Sequence, residues 1–443
     1  MKPLWEHQKR GLTRYLEDPN IFNMSDCGVG KTRTLIEYIR RTNIPVLIFG
    51  PKSILDVAWA ADLREFAPEV KHVVATAKNR RAAFENAARV KITNIDAAVW
   101  LTRPENKDLL TQFKGGLLVV DESTGVKNPA SKRTKAIIKL RGIFASCTCL
   151  TGTPIPNSPL DIWSQVYIID GGKHLGNSFY RFRANVCTPI NKGAFTEWKP
   201  KEGITDAIAD IIADMTIRDT RETCLDLPEN QIIWRRFDLP PDQLKLYNDL
   251  KRKAIVETNT GIITAVNAAV LLNKLLQFCS GACYDENGNI HVIDTGRYEL
   301  VGDLIEEQPH SVVFYNWGHQ LKELVKVLDK RKITYGVIDG SVDSWERKAV
   351  IDALQAGKIQ TLIGQIASVS HGITLTKATA SIYMGATYNM EHFIQSKHRI
   401  HRGGQSMRTS TILVCANNTA DEQAYKALFE KKSTMDILLD SLS

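Results

Sequence analysis

Near the front of the chain, Ser25-Asp26-Cys27-Gly28-Val29-Gly30-Lys31-Thr32 sets two glycines, a lysine and a threonine ahead of a stretch in which Leu35, Ile36 and Ile39 recur at helical spacing. Each type has a task in holding a polyphosphate. Glycines let backbone N–H groups approach phosphate oxygens, and the start of a helix adds positive potential. The Lys31 ammonium reaches β- and γ-phosphates, and the Thr32 hydroxyl can ligate magnesium. Ser25 stands where the usual pattern has its first glycine, so the reading needs a second set of residues. Asp121-Glu122 supply it. They end the apolar run Leu117 to Val120, and a parallel strand delivers side chains into the crevice beyond its carboxyl end. There Asp121 holds the magnesium ion through its hydration shell, while Glu122 orients and deprotonates an attacking water. A third set lies far downstream in Gln395-Ser396-Lys397-His398-Arg399-Ile400-His401-Arg402-Gly403-Gly404-Gln405. Its two arginines, three residues apart, are expected on one helical face, where planar, permanently charged guanidiniums suit a γ-phosphate. Such an arginine can be worth about 10³ to 10⁵ in rate.

These residues need rigid elements to hold them. Apolar runs bounded by turn formers alternate with amphipathic stretches, the pattern of a parallel sheet with crossover helices. Val46 to Phe49, closed by Gly50-Pro51, and Leu117 to Val120 are strands of a first lobe. Val312 to Tyr315, Thr361 to Ile363 and Thr411 to Val414 repeat the theme, and Asp343 to Gly357 reads as a capped helix with Ala349, Val350, Ala353 and Leu354 inward. Between them, from about Leu160 to Leu300, helical patterns dominate, with breaks at Leu227-Pro228 and Leu239-Pro240-Pro241. The expectation is an α/β chain with two parallel-sheet lobes in tandem and a helical insertion between them: residues 1–165, 166–300 and 301–443.

Composition excludes several classes. With 443 residues, 43% of them hydrophobic, the chain can bury a substantial core in each unit. No apolar stretch approaches a membrane span, and the first residues carry no apolar signal core, so a cytoplasmic protein of bacterial or phage origin is expected. Eight cysteines without paired CxxC sets fit a reducing compartment, with Cys147, Cys149, Cys279 and Cys283 as core residues. The net charge of +8 is compatible with phosphate backbones without establishing them. From Gly125 to Gly142, Lys127, Lys132, Arg133, Lys135, Lys139 and Arg141 meet no acidic residue, which suits a solvated helix face equally well.

The order of these motifs resembles superfamily-two helicase-like ATPases with two RecA-like lobes, in particular the Swi/Snf class of duplex DNA translocases, along essentially the whole chain. Leu4-Trp5-Glu6-His7-Gln8 looks like the adenine-sensing glutamine motif, and Pro51-Lys52-Ser53 with Trp59 looks like motif Ia. Asp121-Glu122-Ser123-Thr124 with Lys127-Asn128 resembles motif II, and Leu150-Thr151-Gly152-Thr153-Pro154 resembles motif III. Leu227-Pro228 after Arg218 and Arg221, Gln243 to Tyr247, and Leu275-Leu276-Gln277 before Cys279-Ser280 are similar to the Swi/Snf class, and Arg399 to Gln405 is similar to its motif VI. The resemblance implies that Gln8 reads adenine and that Gly28, Gly30, Lys31, Thr32 and Gln395 bind ATP. It also implies that Thr32 and Asp121 hold magnesium, and that Lys31, Asp121 and Glu122 are completed by Arg399 and Arg402. DNA contacts are implied at Pro51, Lys52, Thr93, Asn94, Lys127, Trp317, Gly340, Ser370 and Thr374. The chain departs from the family pattern at Thr124 (histidine is usual), Val369-Ser370 (a glycine pair), Thr374 (asparagine) and His398 (aspartate).

The expected function is therefore an ATP-hydrolysing translocase on duplex or branched DNA, acting as a monomer, with a protein partner able to supply targeting. Motifs from Leu4 to Gln405 suggest a bare motor without an added reader domain. A strand-separating DNA or RNA helicase, and a nucleotide-gated clamp or adaptor, are the alternatives. Intact Glu122, Arg399 and Arg402 argue against the clamp, because a pure binder does not need a complete hydrolytic set.

Overall fold

The computed structural model describes residues 3–52, 55–191, 196–259, 265–284, 289–294, 296–369 and 373–440. The chain divides into two compact units: Met1–Ile190 with Glu197–Asp226 and Lys431–Ser443, and Asn191–Thr196 with Leu227–Glu430.

The first unit is built on a seven-stranded sheet. Its strands are β1 (Phe22–Asn23), β2 (Val46–Gly50), β3 (His72–Ala75), β4 (Val90–Asn94), β5 (Leu117–Asp121) and β6 (Ser146–Leu150). After a separate two-stranded ribbon, β7 (Cys187–Asn191) and β8 (Thr196–Pro200), comes β9 (Thr216–Ile217), and the sheet order is β3-β4-β2-β5-β6-β1-β9. Every pairing in this sheet is parallel. A parallel sheet is covered on both faces, which is why β2 and β5 read as unbroken apolar runs and are buried at every residue. Leu35, Ile36 and Ile39 of the Lys31–Arg41 helix pack with Val46, Ile48, Val119 and Trp59 in one core cluster.

The second unit repeats the logic with β10 (Asn230–Phe237), β13 (Ser311–Tyr315), β14 (Tyr335–Ile338), β15 (Thr361–Gln365), β16 (Ala380–Tyr383) and β17 (Thr409–Ala416). Their order is β10-β17-β16-β13-β15-β14, again parallel throughout. The short strands β11 (Ala282–Tyr284) and β12 (Ile290–Val292) form a separate antiparallel pair. Val313, Ile363, Ile382 and Ile412 from four adjacent strands form its core with Leu324 and Leu328 of the Gly318–Arg331 helix.

The stretch 166–300 is mainly helical among its described residues, yet it is not all insertion. It holds the helices Ile204–Ile212, Pro241–Asn259 and Ala265–Cys279, but β9 closes an edge of the first sheet, and β10 pairs with β17 along eight residues. The Leu227-Pro228 break falls at the junction of the two units. The capped helix is Ser344–Gln355, with the Asp343 carboxylate accepting from the backbone N–H groups of Trp345 and Glu346, both at 2.9 Å. Of its four expected inward residues only Leu354 is fully buried, and Ala349 is exposed. In the basic Lys132–Arg141 helix, Lys132, Arg133, Lys135 and Lys139 are exposed, while Arg141 turns in to donate to the carbonyls of Phe144 and Ile169. Cys147, Cys149 and Cys279 are buried thiols and Cys283 is partly exposed. Among the described residues no helix is long and apolar enough to cross a membrane.

Candidate nucleotide-binding site

The loop from Ser25 to Gly30 leaves the carboxyl end of β1 and enters the Lys31–Arg41 helix. Gly28 and Gly30 have φ of 93° and 90°, the left-handed region that glycine tolerates at little cost. At Gly30 a Cβ would also lie 2.1 Å from the Gln8 amide nitrogen, the movable end of a side chain, so the left-handed backbone is the main reason for glycine here. Ser25 has no positive φ and needs no glycine. Its hydroxyl accepts the Asp219 N–H at 3.0 Å, while its own N–H donates to the Asn23 side chain at 3.1 Å. The departure from the usual pattern is thus a built contact.

Neighbouring elements grip the loop from two sides. From the Glu6–Glu17 helix, His7 Nε2 lies 2.7 Å from the Val29 carbonyl, and the Gln8 amide donates to the same oxygen at 3.4 Å. Gln8 also accepts the Trp5 N–H at 3.0 Å, capping that helix. From the segment after β9, Arg218 donates to the Asp26 carboxylate at 2.6 Å and to the Met24 carbonyl at 3.0 Å, and the Arg221 N–H reaches the other Asp26 oxygen at 3.0 Å. Sequence reasoning used Arg218 and Arg221 only as family markers. Their grip on Asp26 comes from residues about 190 positions apart, as the sheet brings β9 beside β1. The Lys31 ammonium donates to the carbonyls of Ser25 and Asp26 at 2.6 and 3.0 Å, inside the loop it is meant to serve.

Asp121 ends β5 and Glu122 follows it with φ 48°, a left-handed backbone that is costly for a residue with a Cβ. The Asp121 carboxylate is buried. It accepts the Trp59 indole N–H at 2.7 Å on one oxygen and the Glu122 N–H at 3.0 Å on the other. Burial pushes its pKa up, while the indole hydrogen bond, the nearby Lys31 charge and the backbone N–H pull against that shift. Trp59 sits in a π-helical turn, Leu55–Ala60, a local widening that often marks functional positions. The resemblance placed Trp59 in a motif; only the fold reveals that it serves Asp121.

Magnesium fits this donor set. Thr32 offers a half-buried hydroxyl and Asp121 a buried carboxylate whose raised pKa a divalent cation would reverse, the sparse protein ligation this ion takes when it shares phosphates. When bound, it neutralises charge on the phosphate oxygens.

The motif II turn is tied to the next strand end. Ser123 donates to the Gln165 side-chain oxygen at 2.6 Å, and the Gln165 amide donates to the carbonyls of Pro154 and Asp161 at 2.7 and 2.9 Å. Gln165, on the Ile162–Asp170 helix, is fully buried, and sequence reasoning missed it. A glutamine beside Ser164 within a helix otherwise rich in apolar residues was the available signal.

In the second unit, the Met390–Ile400 helix ends before Arg402. His401 leaves helical geometry (φ −86°, ψ 86°), so the two arginines do not share one helical face as expected. Arg399 occupies the last turn and donates to the Gln395 carbonyl at 3.2 Å, while Arg402 lies in the following turn and donates to the Ile373 carbonyl at 3.1 Å. Gln395 is fully buried, its amide 3.3 Å from the Glu391 carboxylate.

The residues assigned to DNA are unequally placed. Lys52, Gly340 and Thr374 are exposed, and Pro51, Asn94, Lys127 and Trp317 are half-buried. Thr93 is fully buried and its hydroxyl donates to the Ala75 carbonyl at 2.9 Å, so its side chain is engaged within the sheet. Ser370 lies outside the described residues.

A parallel α/β unit with a lysine-bearing loop after one strand and an acidic pair ending another defines a nucleotide-binding P-loop chain. The SNF2-related domain matches residues 12–284 and the helicase conserved C-terminal domain residues 296–404, and the chain belongs to the SNF2-related family of ATP-dependent, helicase-type enzymes. It is 26% identical to protein p41 of Acyrthosiphon pisum secondary endosymbiont phage 1, over 94% of this chain and 93% of that one. An uncharacterized ATP-dependent helicase of Mycoplasma pneumoniae is 27% identical over 92% of this chain and 39% of its own length. A SWI/SNF-related matrix-associated actin-dependent regulator of chromatin subfamily A-like protein 1 homolog of Caenorhabditis elegans is 24% identical over 98% of this chain and 61% of its own. The chain thus spans 39% to 61% of these two cellular relatives.

Proposed function

We propose that the chain hydrolyses ATP and uses the cycle to track along duplex DNA. The observation that carries the reading is that the Lys31-bearing loop after β1 and the Asp121 carboxylate ending β5 stand at the carboxyl ends of strands of one parallel sheet, with the Lys31 charge favouring the ionised Asp121. In this reading Lys31 leaves its loop carbonyls for the β- and γ-phosphates, Gln8 reads adenine, Glu122 takes the proton of the attacking water, and Arg399 and Arg402 stabilise charge on the transferring phosphoryl group. ATP and hydrolysis alternate the grip of the two units on the phosphate backbone. Phosphate contacts carry no base information, so binding is sequence-tolerant and weakens with salt by about 0.9 log units per log unit of salt for each phosphate neutralised.

The test measures ATPase rates with blunt duplex, forked DNA, single strands and RNA. Blunt duplex is expected to stimulate most, Lys31→Ala to abolish turnover, and Glu122→Gln to bind nucleotide without turning it over. Stronger stimulation by single strands or RNA would overturn the duplex assignment, and turnover in Glu122→Gln would overturn the site.

A further inference from the structure

From Phe179 to Lys201 the sequence carries Arg181, Arg183, Lys192, Lys199 and Lys201 against the single acid Glu197, interleaved with Phe179, Tyr180, Phe182, Phe195 and Trp198. The nucleotide site uses none of them. Lys192 and Phe195 lie outside the described residues, and the others fall on the Phe179–Val186 helix, on β8 or just beyond it.

The helix has two distinct faces. Phe182 and Val186 are buried, and Phe179 stands edge-on against Trp163 with ring centroids 5.7 Å apart, which anchors the inner side. On the outer side the Arg183 guanidinium lies 4.2 Å from the centroid of the Trp198 ring and 5.4 Å from that of Tyr180. Tyr180 is 72% exposed, its chain neighbour Arg181 is exposed, and so are Lys199 and Lys201 on and just beyond β8. A lone exposed ring is ordinary on a protein surface, and it is the ring-stacked cation beside Tyr180 that sets this one apart. An open ring beside a ring-stacked cation, set among lysines and arginines, is the chemistry of a stacking platform for nucleobases, with the cations placed for the backbone.

We propose that this face binds nucleic acid by stacking an unpaired base on Tyr180, while Arg181, Lys199 and Lys201 meet the adjoining phosphates. Bases inside a duplex are already stacked, so the occupant is a single-stranded segment next to the duplex that the motor follows. This proposal rests on the DNA reading above.

The test uses the full chain with a blunt duplex and with the same duplex extended by a short single-stranded overhang, 2-aminopurine marking its first unpaired position. The overhang is expected to raise affinity and 2-aminopurine emission to be quenched on binding. Tyr180→Ala is expected to lose about 5- to 140-fold affinity for the extended DNA only, and the quenching with it, while blunt-duplex binding and ATPase stimulation persist. Because Tyr180 is largely in solvent, its removal leaves the core intact. Wild-type affinity and quenching in Tyr180→Ala, an equal loss on blunt duplex, or no quenching by the wild-type chain would each overturn the proposal. Failure of blunt duplex to stimulate the wild-type ATPase sinks the translocase reading separately, since the quenching measurement does not depend on it.

Discussion

Asp121 shows how much of a buried carboxylate's behaviour is set by the groups packed around it. Burial raises its pKa, and the Trp59 indole N–H is the strongest influence holding the charged form, ahead of Lys31 and the Glu122 N–H. A carboxyl raised above its unfolded value costs stability once it ionises, and the cost grows as pH rises through the folded value. Withdrawing the indole donor raises that value further. Trp59→Phe, which keeps a ring in the core, is therefore expected to move the acid limb of the ATPase pH profile to higher pH and to raise the magnesium concentration needed for half-maximal rate. It is also expected to cost about 1.5–3 kcal/mol of stability, the range for a buried hydrogen bond to a charged group. A pH–rate profile unchanged in Trp59→Phe would remove Trp59 from the mechanism. The left-handed Glu122 backbone belongs to the same economy: a strained residue persists where its surroundings over-determine it, here between β5 and the buried Ser123 turn.

At the scale of elements, the Ile162–Asp170 helix holds two loops in register through one amide. Gln165 accepts from Ser123 after β5 and donates to Pro154 after β6, so the acidic pair and the motif III turn share a buried polar link. Gln165→Leu would strand the Ser123 hydroxyl and two carbonyls, each costing about 1–3 kcal/mol when left unsatisfied in the interior. Adding Ser123→Ala removes one of those orphans. In a double-mutant cycle by denaturant unfolding, the pair is expected to cost less than the sum of the singles. Strict additivity would show that the 2.6 Å contact carries no coupling. Element legibility followed the physics of burial. Strands covered on both faces, such as β2, β5 and β13, announced themselves as apolar runs, whereas β10, Asn230-Gln231-Ile232-Ile233-Trp234-Arg235-Arg236-Phe237, sits at a sheet edge with exposed polar residues and read as part of a helical stretch. The two-residue β1 and β9 carry too little sequence to show any period.

For the whole molecule, two parallel sheets with separate cores imply two unfolding events, since one cooperative transition is not assured when each unit buries its own apolar surface. Thermal unfolding is expected to resolve two transitions. Magnesium and ATP at about 100 times the dissociation constant are expected to stabilise the first unit by about 2.7 kcal/mol. Lys31→Ala should abolish that shift, while Arg402→Ala should keep it and lower only turnover. A shift that survives in Lys31→Ala would place the nucleotide elsewhere.

The sequence by itself determined the chemistry available and its order along the chain: a lysine loop, an acidic pair at a strand end and two distant arginines, in an α/β pattern of two lobes. These were readable because glycine, strand-end acids and apolar periodicity are local constraints, each satisfied within a few residues. Only the tertiary structure decided who supports the site. It brought Arg218 to Asp26, Trp59 to Asp121, and Gln165 between Ser123 and Pro154. It also took Arg402 off the helix and Thr93 into the sheet. Those outcomes depend on which strands lie side by side and where a helix stops, and they are settled by burial summed over a whole unit, which no short window of residues contains.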